Sequence, residues 1–235
     1  MIIEGAFSQL YTQWMTMKKE SSPQILSKKI AETIRNKLVI GELLPGQRLS
    51  EAALSEQLEI SRNTLREVFR VLTQEGLLKH QPNRGVFVAI PDIASIIDIY
   101  RVRRLIECQA LTQAYSMHPS VAKMKEAVTS AQLYRNNQDW VGVGTANMRF
   151  HTAIVELTDS ERLIAFYRNI SAELRLAFGL LNDPELLYAP YIDKNAYILE
   201  LLDSGQTELA AKKMKDYLEL SERTVLAAYT RKNNE

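Results

Sequence analysis

Ser61-Arg-Asn-Thr-Leu-Arg-Glu-Val-Phe-Arg-Val-Leu72 decides the fold of the first part of this chain. Leu65, Val68, Phe69 and Leu72 recur at i, i+3, i+4 and i+7, the inward stripe of an amphipathic helix. Arg62, Arg66 and Arg70 recur every four residues on a different face, so three guanidiniums share one ridge. Ser61 is a capping residue that starts this helix, and Gly76 stops it after Glu75.

Working outward, Ser50 caps a short helix through Leu58, with Glu51 in its first turn, where the helix dipole favours acid. Pro45-Gly46 is a turn pair. Leu26, Ile30, Ile34 and Leu38 form an earlier helical stripe that ends at Gly41. Downstream, Leu77 to His80 and Val86 to Ile90 are β-prone runs joined by Gln81-Pro-Asn-Arg-Gly85. Three helices followed by a hairpin predict a winged helix-turn-helix over residues 24–90.

Pro and Gly crowd into the first 91 residues, and from Asp92 onward the chain reads as helix. The fold class expected is mainly α. The winged domain, helical with a small β-hairpin, precedes an all-α bundle over residues 92–232, with Pro91 at the joint. Residues 1–23 read as an N-terminal extension. Met1 to Thr16 has no basic leader and no unbroken apolar core, so it does not read as a signal peptide. A loosely attached extension or an upstream choice of start site is expected there.

The chain has 235 residues, 46% of them apolar, which excludes wholesale disorder. Its 29 Lys and Arg nearly balance 28 Asp and Glu, for a net charge of +1. Taken alone, that balance argues against a nucleic-acid binder. Divided by domain it reads differently. Residues 24–90 hold 10 basic and 7 acidic groups, a net +3, and residues 91–235 hold 17 and 19, a net −2. A footprint on nucleic acid would therefore be confined to residues 24–90. One cysteine, Cys108, excludes an internal disulfide framework and a Cys-rich zinc site, and points to a reducing, cytoplasmic compartment. No apolar run approaches the roughly 18 residues of a membrane span.

The arginine ridge, with Ser61, Asn63 and Thr64 at its N-terminal tip, suits entry into a DNA major groove. Hydroxyls and a helix N-terminus bind phosphate, and arginine bonds guanine edges bidentately. A solvated basic face would show the same ladder. The preceding helix, the tight turn and the Arg84-Gly85 hairpin favour the DNA reading.

Gly41-Glu-Leu-Leu-Pro-Gly-Gln-Arg-Leu49, Ser61-Arg-Asn-Thr-Leu-Arg-Glu-Val68, Glu75-Gly-Leu-Leu78 and Arg84-Gly-Val-Phe-Val88 together resemble the GntR family of bacterial transcription regulators. The resemblance implies that Arg62, Thr64 and Arg66 contact operator DNA and that Gly85 approaches the minor groove. The candidate DNA-facing set is Arg48, Ser61, Arg62, Asn63, Thr64, Arg66, Arg70, Arg84 and Gly85. Ala52 stands where many members carry an arginine, so operator preference should differ from theirs.

In the rear domain, Ile96, Tyr100, Arg103, Glu107, Ala110 and Ala114 share one face of a long helix. Arg103 and Glu107, four apart on that apolar face, pair with each other or with a ligand acid. Val143, Asn147, His151 and Ile154 share a face of another helix. Asn195 lies on an inward stripe with Ile192, Leu199 and Leu202, and Tyr217 lies with Ala210, Met214 and Ser221. Arg103, Asn147, His151, Asn195 and Tyr217 thus converge as candidates for one small-molecule pocket, although each alone is more often a satisfied core residue.

Tyr100-Arg-Val-Arg-Arg-Leu-Ile-Glu107, Asn147-Met-Arg-Phe-His151 and Leu199-Glu-Leu-Leu-Asp-Ser-Gly205 resemble the FCD ligand-sensing domain of the FadR subfamily. The resemblance implies a divalent-metal site built from an Asp and three His. Only His151 persists here. Asn147, Asn195 and Tyr217 occupy the other positions, and neutral Asn and protonated Tyr are poor zinc ligands. No cofactor and no bound transition metal, or only weak binding, is therefore expected.

These readings converge on a DNA-binding regulator, repression being the usual mode. It would bind a palindromic operator as a homodimer and answer to a small metabolite, an organic acid being the class Arg103 suggests. Two alternatives stand beside it: a regulator whose helical domain only dimerises, and an all-α enzyme with an accessory winged domain. No G-x-S-x-G, P-loop or G-x-G-x-x-G motif supports the enzyme.

Overall fold

The computed structural model describes residues 23–180 and 184–233. The expected N-terminal extension lies outside these, apart from Pro23, which opens the first helix. The front elements are α1 (Pro23–Val39), β1 (Arg48–Leu49), α2 (Glu51–Gln57), α3 (Arg62–Gln74), β2 (Leu78–Gln81) and β3 (Gly85–Val88). Ser50 Oγ accepts from Ala53 N at 3.2 Å and Ser61 Oγ accepts from Thr64 N at 3.0 Å, so both foreseen caps start their helices. Leu65, Val68, Phe69 and Leu72 of α3 are buried against Ile30, Ile34 and Leu38 of α1. Gly76 ends α3 at φ +76°, a conformation that an L side chain rarely adopts.

The wing differs from the lone hairpin expected. It is a three-stranded antiparallel sheet in the order β1-β3-β2, with Arg48 opposite Phe87 and Lys79 opposite Phe87 on the other side. The extra strand has two residues, too few to show an alternating pattern in sequence. Backbone bonds from Gly46 N to Val88 O (3.1 Å) and Val88 N to Gln47 O (2.8 Å) fix it there. The paired strands also begin one residue away from the starts of the β-prone runs, β2 at Leu78 and β3 at Gly85, and β3 ends at Val88.

The rear part holds α4 (Ile93–Thr112), α5 (Pro119–Asn136), α6 (Trp140–Glu156), α7 (Glu161–Phe178), α8 (Pro184–Asp203) and α9 (Thr207–Asn233). Asp92 caps α4, its carboxylate accepting from Ser95 N at 2.7 Å. That bond is also the chief reason its pKa is lowered. Ile96, Ile99, Tyr100, Ala110 and Leu111 of α4 face inward, among apolar residues from all five other helices.

The two cores are not independent. Ala172 and Leu176 of α7 belong to the winged-domain core, while Leu174, Ala177 and Phe178 of the same helix belong to the bundle core. Between them, buried Arg175 donates to Tyr188 OH at 2.8 Å and to Val141 O at 3.4 Å. Beside this junction α1 and α5–α7 enclose a cleft of about 640 Å3.

Gly144 makes room for that guanidinium: a Cβ there would stand 2.2 Å from Arg175 Nη1 and 2.6 Å from the Tyr188 ring. Both neighbours are buried and bonded to each other, so neither can give way freely. Gly144→Ala should therefore lower stability by about 1–3 kcal/mol, despite the better helix propensity of alanine. Urea unfolding measures this, and an unchanged or raised midpoint would contradict the tight junction.

Candidate nucleic-acid interface and buried polar cluster

Helix α3 presents its charge as its period dictates. Arg62, Asn63, Arg66 and Arg70 are exposed outside the buried stripe, and Thr64 is half-buried. Ser61 Oγ lies 2.8 Å from Thr64 Oγ1, so the two tip hydroxyls bond each other while Ser61 Oγ also accepts from the Thr64 backbone N–H. Two of the three ridge arginines also bond carboxylates. Arg66 Nε donates to Glu51 at 2.9 Å, and Arg70 Nη2 to Glu67 at 2.9 Å. These pairs are solvent-exposed, where such bonds contribute little and exchange readily for phosphate. Arg62 has no carboxylate within 4 Å among the described residues, so the ridge offers one open guanidinium and two that must switch partner.

The wing adds a second basic spot. Asn83 (φ 61°) and Gly85 (φ +101°) turn the chain between β2 and β3. Arg84 lies 5.7 Å from the Phe87 ring centroid. The Arg48 guanidinium, on β1, lies beside Gly85, where a Cβ would be 3.7 Å from its Nε. Arg48 and Arg84 are both exposed.

In the bundle the five ligand candidates do come together, around Glu107. Arg103 Nε donates to Glu107 Oε1 at 2.7 Å, and Tyr167 OH donates to the same oxygen at 2.6 Å. His151 Nδ1 lies 2.6 Å from Glu107 Oε2, and its Nε2 lies 2.9 Å from Tyr217 OH. Tyr217 OH stands 3.0 Å from Asn147 Oδ1, which also accepts from Asn195 Nδ2 at 2.7 Å. One chain of bonds thus runs from α4 through α6 and α9 to α8. The sequence suggested side chains converging on an open pocket. They fill the space with bonds to each other instead. Arg103 Nη2 and Asn195 Oδ1 are the exceptions, buried without a hydrogen-bond partner.

Tyr167 was not among the sequence candidates, although it lies on the inward side of α7 with Ile170 and Leu174. Nothing in its spacing distinguishes it from an ordinary core aromatic; only Glu107 across the bundle gives its hydroxyl a role. Glu107 itself was foreseen only as a partner for Arg103.

The electrostatics follow from this packing. Burial works to raise the Glu107 pKa, but Arg103 and His151 beside it hold the carboxyl down at about 2. Burial lowers the His151 pKa, outweighing its attraction to Glu107. Burial also raises the Tyr167 and Tyr217 phenols, which stay neutral. Both nitrogens of His151 are engaged, and among the described residues no group of three or more His, Cys, Asp and Glu side chains could hold a metal ion.

Comparison with known proteins places both halves. Residues 26–88 match the profile of bacterial regulatory proteins of the gntR family, and residues 98–220 match the FCD domain. This chain belongs to the GntR family and carries an FCD domain. A putative GntR transcriptional regulator from Rhodococcus sp. RHA1 is 35% identical over 86% of this chain and 98% of its own, with a TM-score of 0.80. The HTH-type transcriptional repressor RspR of Escherichia coli K12 is 25% identical over 226 residues, 88% of this chain and 93% of its own. The Nta operon transcriptional regulator of Aminobacter aminovorans is 29% identical over 138 residues, and the match spans 64% of that protein. GntR members are DNA-binding transcription regulators. The winged-helix and all-α architecture expected from sequence is the one found. No described helix is long and apolar enough to cross a membrane.

The His151 and Glu107 shifts both depress the folded pKa, so the unfolded chain binds more protons in acid. Stability contributed by His151 is present above pH 6.5 and is lost as pH falls below it; that of Glu107 is lost between 4.5 and about 2. The thermal midpoint should therefore decline in two steps on acidification. His151→Gln should flatten the first step, and a variant that keeps it would show that His151 is not buried neutral.

Proposed function

We propose that this GntR member is a one-component transcriptional repressor that binds a palindromic operator as a homodimer in the cytoplasm. Its helical domain answers to a small organic acid. The observation that carries the DNA reading is the exposed Arg62, Arg66 and Arg70 ridge, set outside the buried face of a capped helix. A helix held by its apolar side and charged on another is rigidly presented to a groove. Ser61, Asn63 and Thr64 would approach the backbone at the helix tip, and Arg48, Arg84 and Gly85 would flank it from the wing. One such helix reads only a few base pairs, and a twofold dimer doubles the site.

The effector reading rests on Arg103 Nη2 and Asn195 Oδ1, a buried donor and a buried acceptor without partners in one cluster. Leaving such groups unpaired costs about 1–3 kcal/mol each. An organic acid whose carboxylate took the free guanidinium N–H, and which carried a hydroxyl to donate to Asn195 Oδ1, would remove that cost while reaching Asn147, His151 and Tyr217. The domain boundaries that follow are residues 24–90 for DNA and 92–232 for sensing and dimerisation. The donor set here does not fit a transition metal. One imidazole with both nitrogens bonded, two amides and a neutral phenol replace an Asp and three His, so the effector would bond the side chains directly.

The closed state of the cluster favours a second reading, a helical domain that only dimerises. Thermal-shift screening against organic and sugar acids separates the two. Midpoint rises that disappear in Asn147→Leu support sensing, and a flat response with intact operator binding supports dimerisation alone.

The DNA reading predicts that the protein shifts its own upstream intergenic DNA in a gel. The Arg62→Ala, Arg66→Ala double variant should lose about 1–3 kcal/mol for each base-contacting arginine. Affinity should also fall steeply with salt, since two winged domains of net +3 displace counterions. A shift indifferent to both arginines would remove the proposal. Elemental analysis of the purified protein should find zinc, nickel and manganese well below one per chain; a stoichiometric metal would overturn the direct-bonding scheme.

A further inference from the structure

Between α8 and α9 lies a surface groove of about 410 Å3, lined by Lys194, Tyr197, Ile198, Lys213, Asp216, Tyr217, Leu220 and Arg223. Its charge is unbalanced. Three cations line it against one carboxylate, and Lys213 lies 3.9 Å from that carboxylate, on Asp216. Lys194 and Arg223 have no carboxylate within 4 Å among the described residues. The larger interdomain cleft is different, because three of its four cations, all but Arg149, are matched. There Arg35 pairs with Glu75 at 2.8 Å, Lys123 with Glu156 at 2.6 Å, and Arg168 lies 3.7 Å from Glu32.

Two cations gathered without counter-charge around an apolar surface repel each other and attract an anion. The apolar surface is present as well. Tyr197 is 44% exposed and Leu220 37% exposed, with the buried Ile198 and the Tyr217 ring beneath them. Flat rings edged by lysine and arginine suit a planar body with a negative group, through ring contact and cation attraction together.

We propose that this groove is a second ligand site, distinct from the buried cluster, and that it takes an organic anion with a planar apolar body. It goes beyond the effector reading above and shares only one residue with it. Tyr217 has two roles: it lines the groove, and its hydroxyl bonds His151 and Asn147 inside the bundle. A ligand seated outside therefore meets a residue in the middle of the buried chain of bonds.

The test is calorimetric titration of the full chain with 2-naphthoate. 2-Naphthylmethylamine supplies the same body with the opposite charge, and acetate supplies the charge without the body. 2-Naphthoate should bind saturably, one per chain, while the other two give no saturable heat at the same concentrations. Lys194→Glu with Arg223→Glu should weaken binding at least tenfold. If that variant fails to fold, Lys194→Gln with Arg223→Gln should still weaken it severalfold. Asn147→Leu, outside the groove, should leave naphthoate affinity within about threefold, whereas it removes an amide from the buried site. That contrast separates failure of the groove from failure of the effector reading. Absence of saturable binding, equal binding of the amine, or binding indifferent to both charge variants would each overturn the proposal.

Discussion

Helix α7 belongs to two cores at once, and this constraint organises the molecule. A winged domain of this size has little interior, and the outer side of α1 needs a cover. Ala172 and Leu176 supply it, while Leu174, Ala177 and Phe178 point into the bundle. The turn of roughly 100° per residue along a helix is what lets neighbours in sequence serve different cores. Arg175 lies where the two faces meet. Its charge is buried with no carboxylate partner among the described residues and is satisfied by Tyr188 OH and the Val141 carbonyl. Its guanidinium also meets the winged domain, since a Cβ on Gly41 would stand 3.0 Å from its Nη2. The winged domain is thus held in place by packing and by one buried cation, and not only by the chain passing through Pro91.

The buried polar cluster obeys the same economy. Arg103 and Glu107 are 2% and 0% exposed, and such a pair in a dry interior is a weak source of stability but is expensive to break. Five further groups spread the cost, with Tyr167 and His151 completing the bonds to the carboxylate. Glu107 is therefore the hub, and the residues expected to meet a ligand are held by what they bond, directly or in turn, to that carboxylate.

Much of this was legible in the sequence because it depends on local spacing. The caps at Ser50 and Ser61, the stop at Gly76 and the faces of α3 and α4 follow from a helical period and a few special residues. What was not legible depends on distance. The two-residue strand β1 has no pattern of its own and exists because β3 offers it an edge. Tyr167 acquires a role only when α7 is laid against α4. The pairs that tie Arg66 to Glu51 and Arg70 to Glu67 show that a ridge read as three arginines is partly neutralised by its neighbours. The sharing of α7 had no sequence signal, since Ala172 and Leu176 read as ordinary bundle positions. Net charge misled for a related reason: a sum over the chain hides the sign of each domain.

Helix α8 links these features in a way that bears on regulation. It carries Tyr188, bonded to Arg175; Asn195, bonded into the buried cluster; and Lys194 and Tyr197, on the groove. Between the first and the rest stands Pro190, inside the helix, where a missing N–H leaves one backbone bond unmade and softens the element. A ligand that draws the Asn195 half of α8 toward α6 or α9 need not carry the Tyr188 half with it. If it does, Tyr188 moves against Arg175, and Arg175 against the turn at Gly41. The free energy available for that movement is only the difference in ligand affinity between the two positions of α8, about 1.4 kcal/mol for each tenfold. A stiff α8 would transmit all of it to α7, and a helix broken at Pro190 would keep it in the bundle. If the helical domain senses a ligand as proposed, the stiffness of that one turn sets how much of the binding event reaches the winged domain.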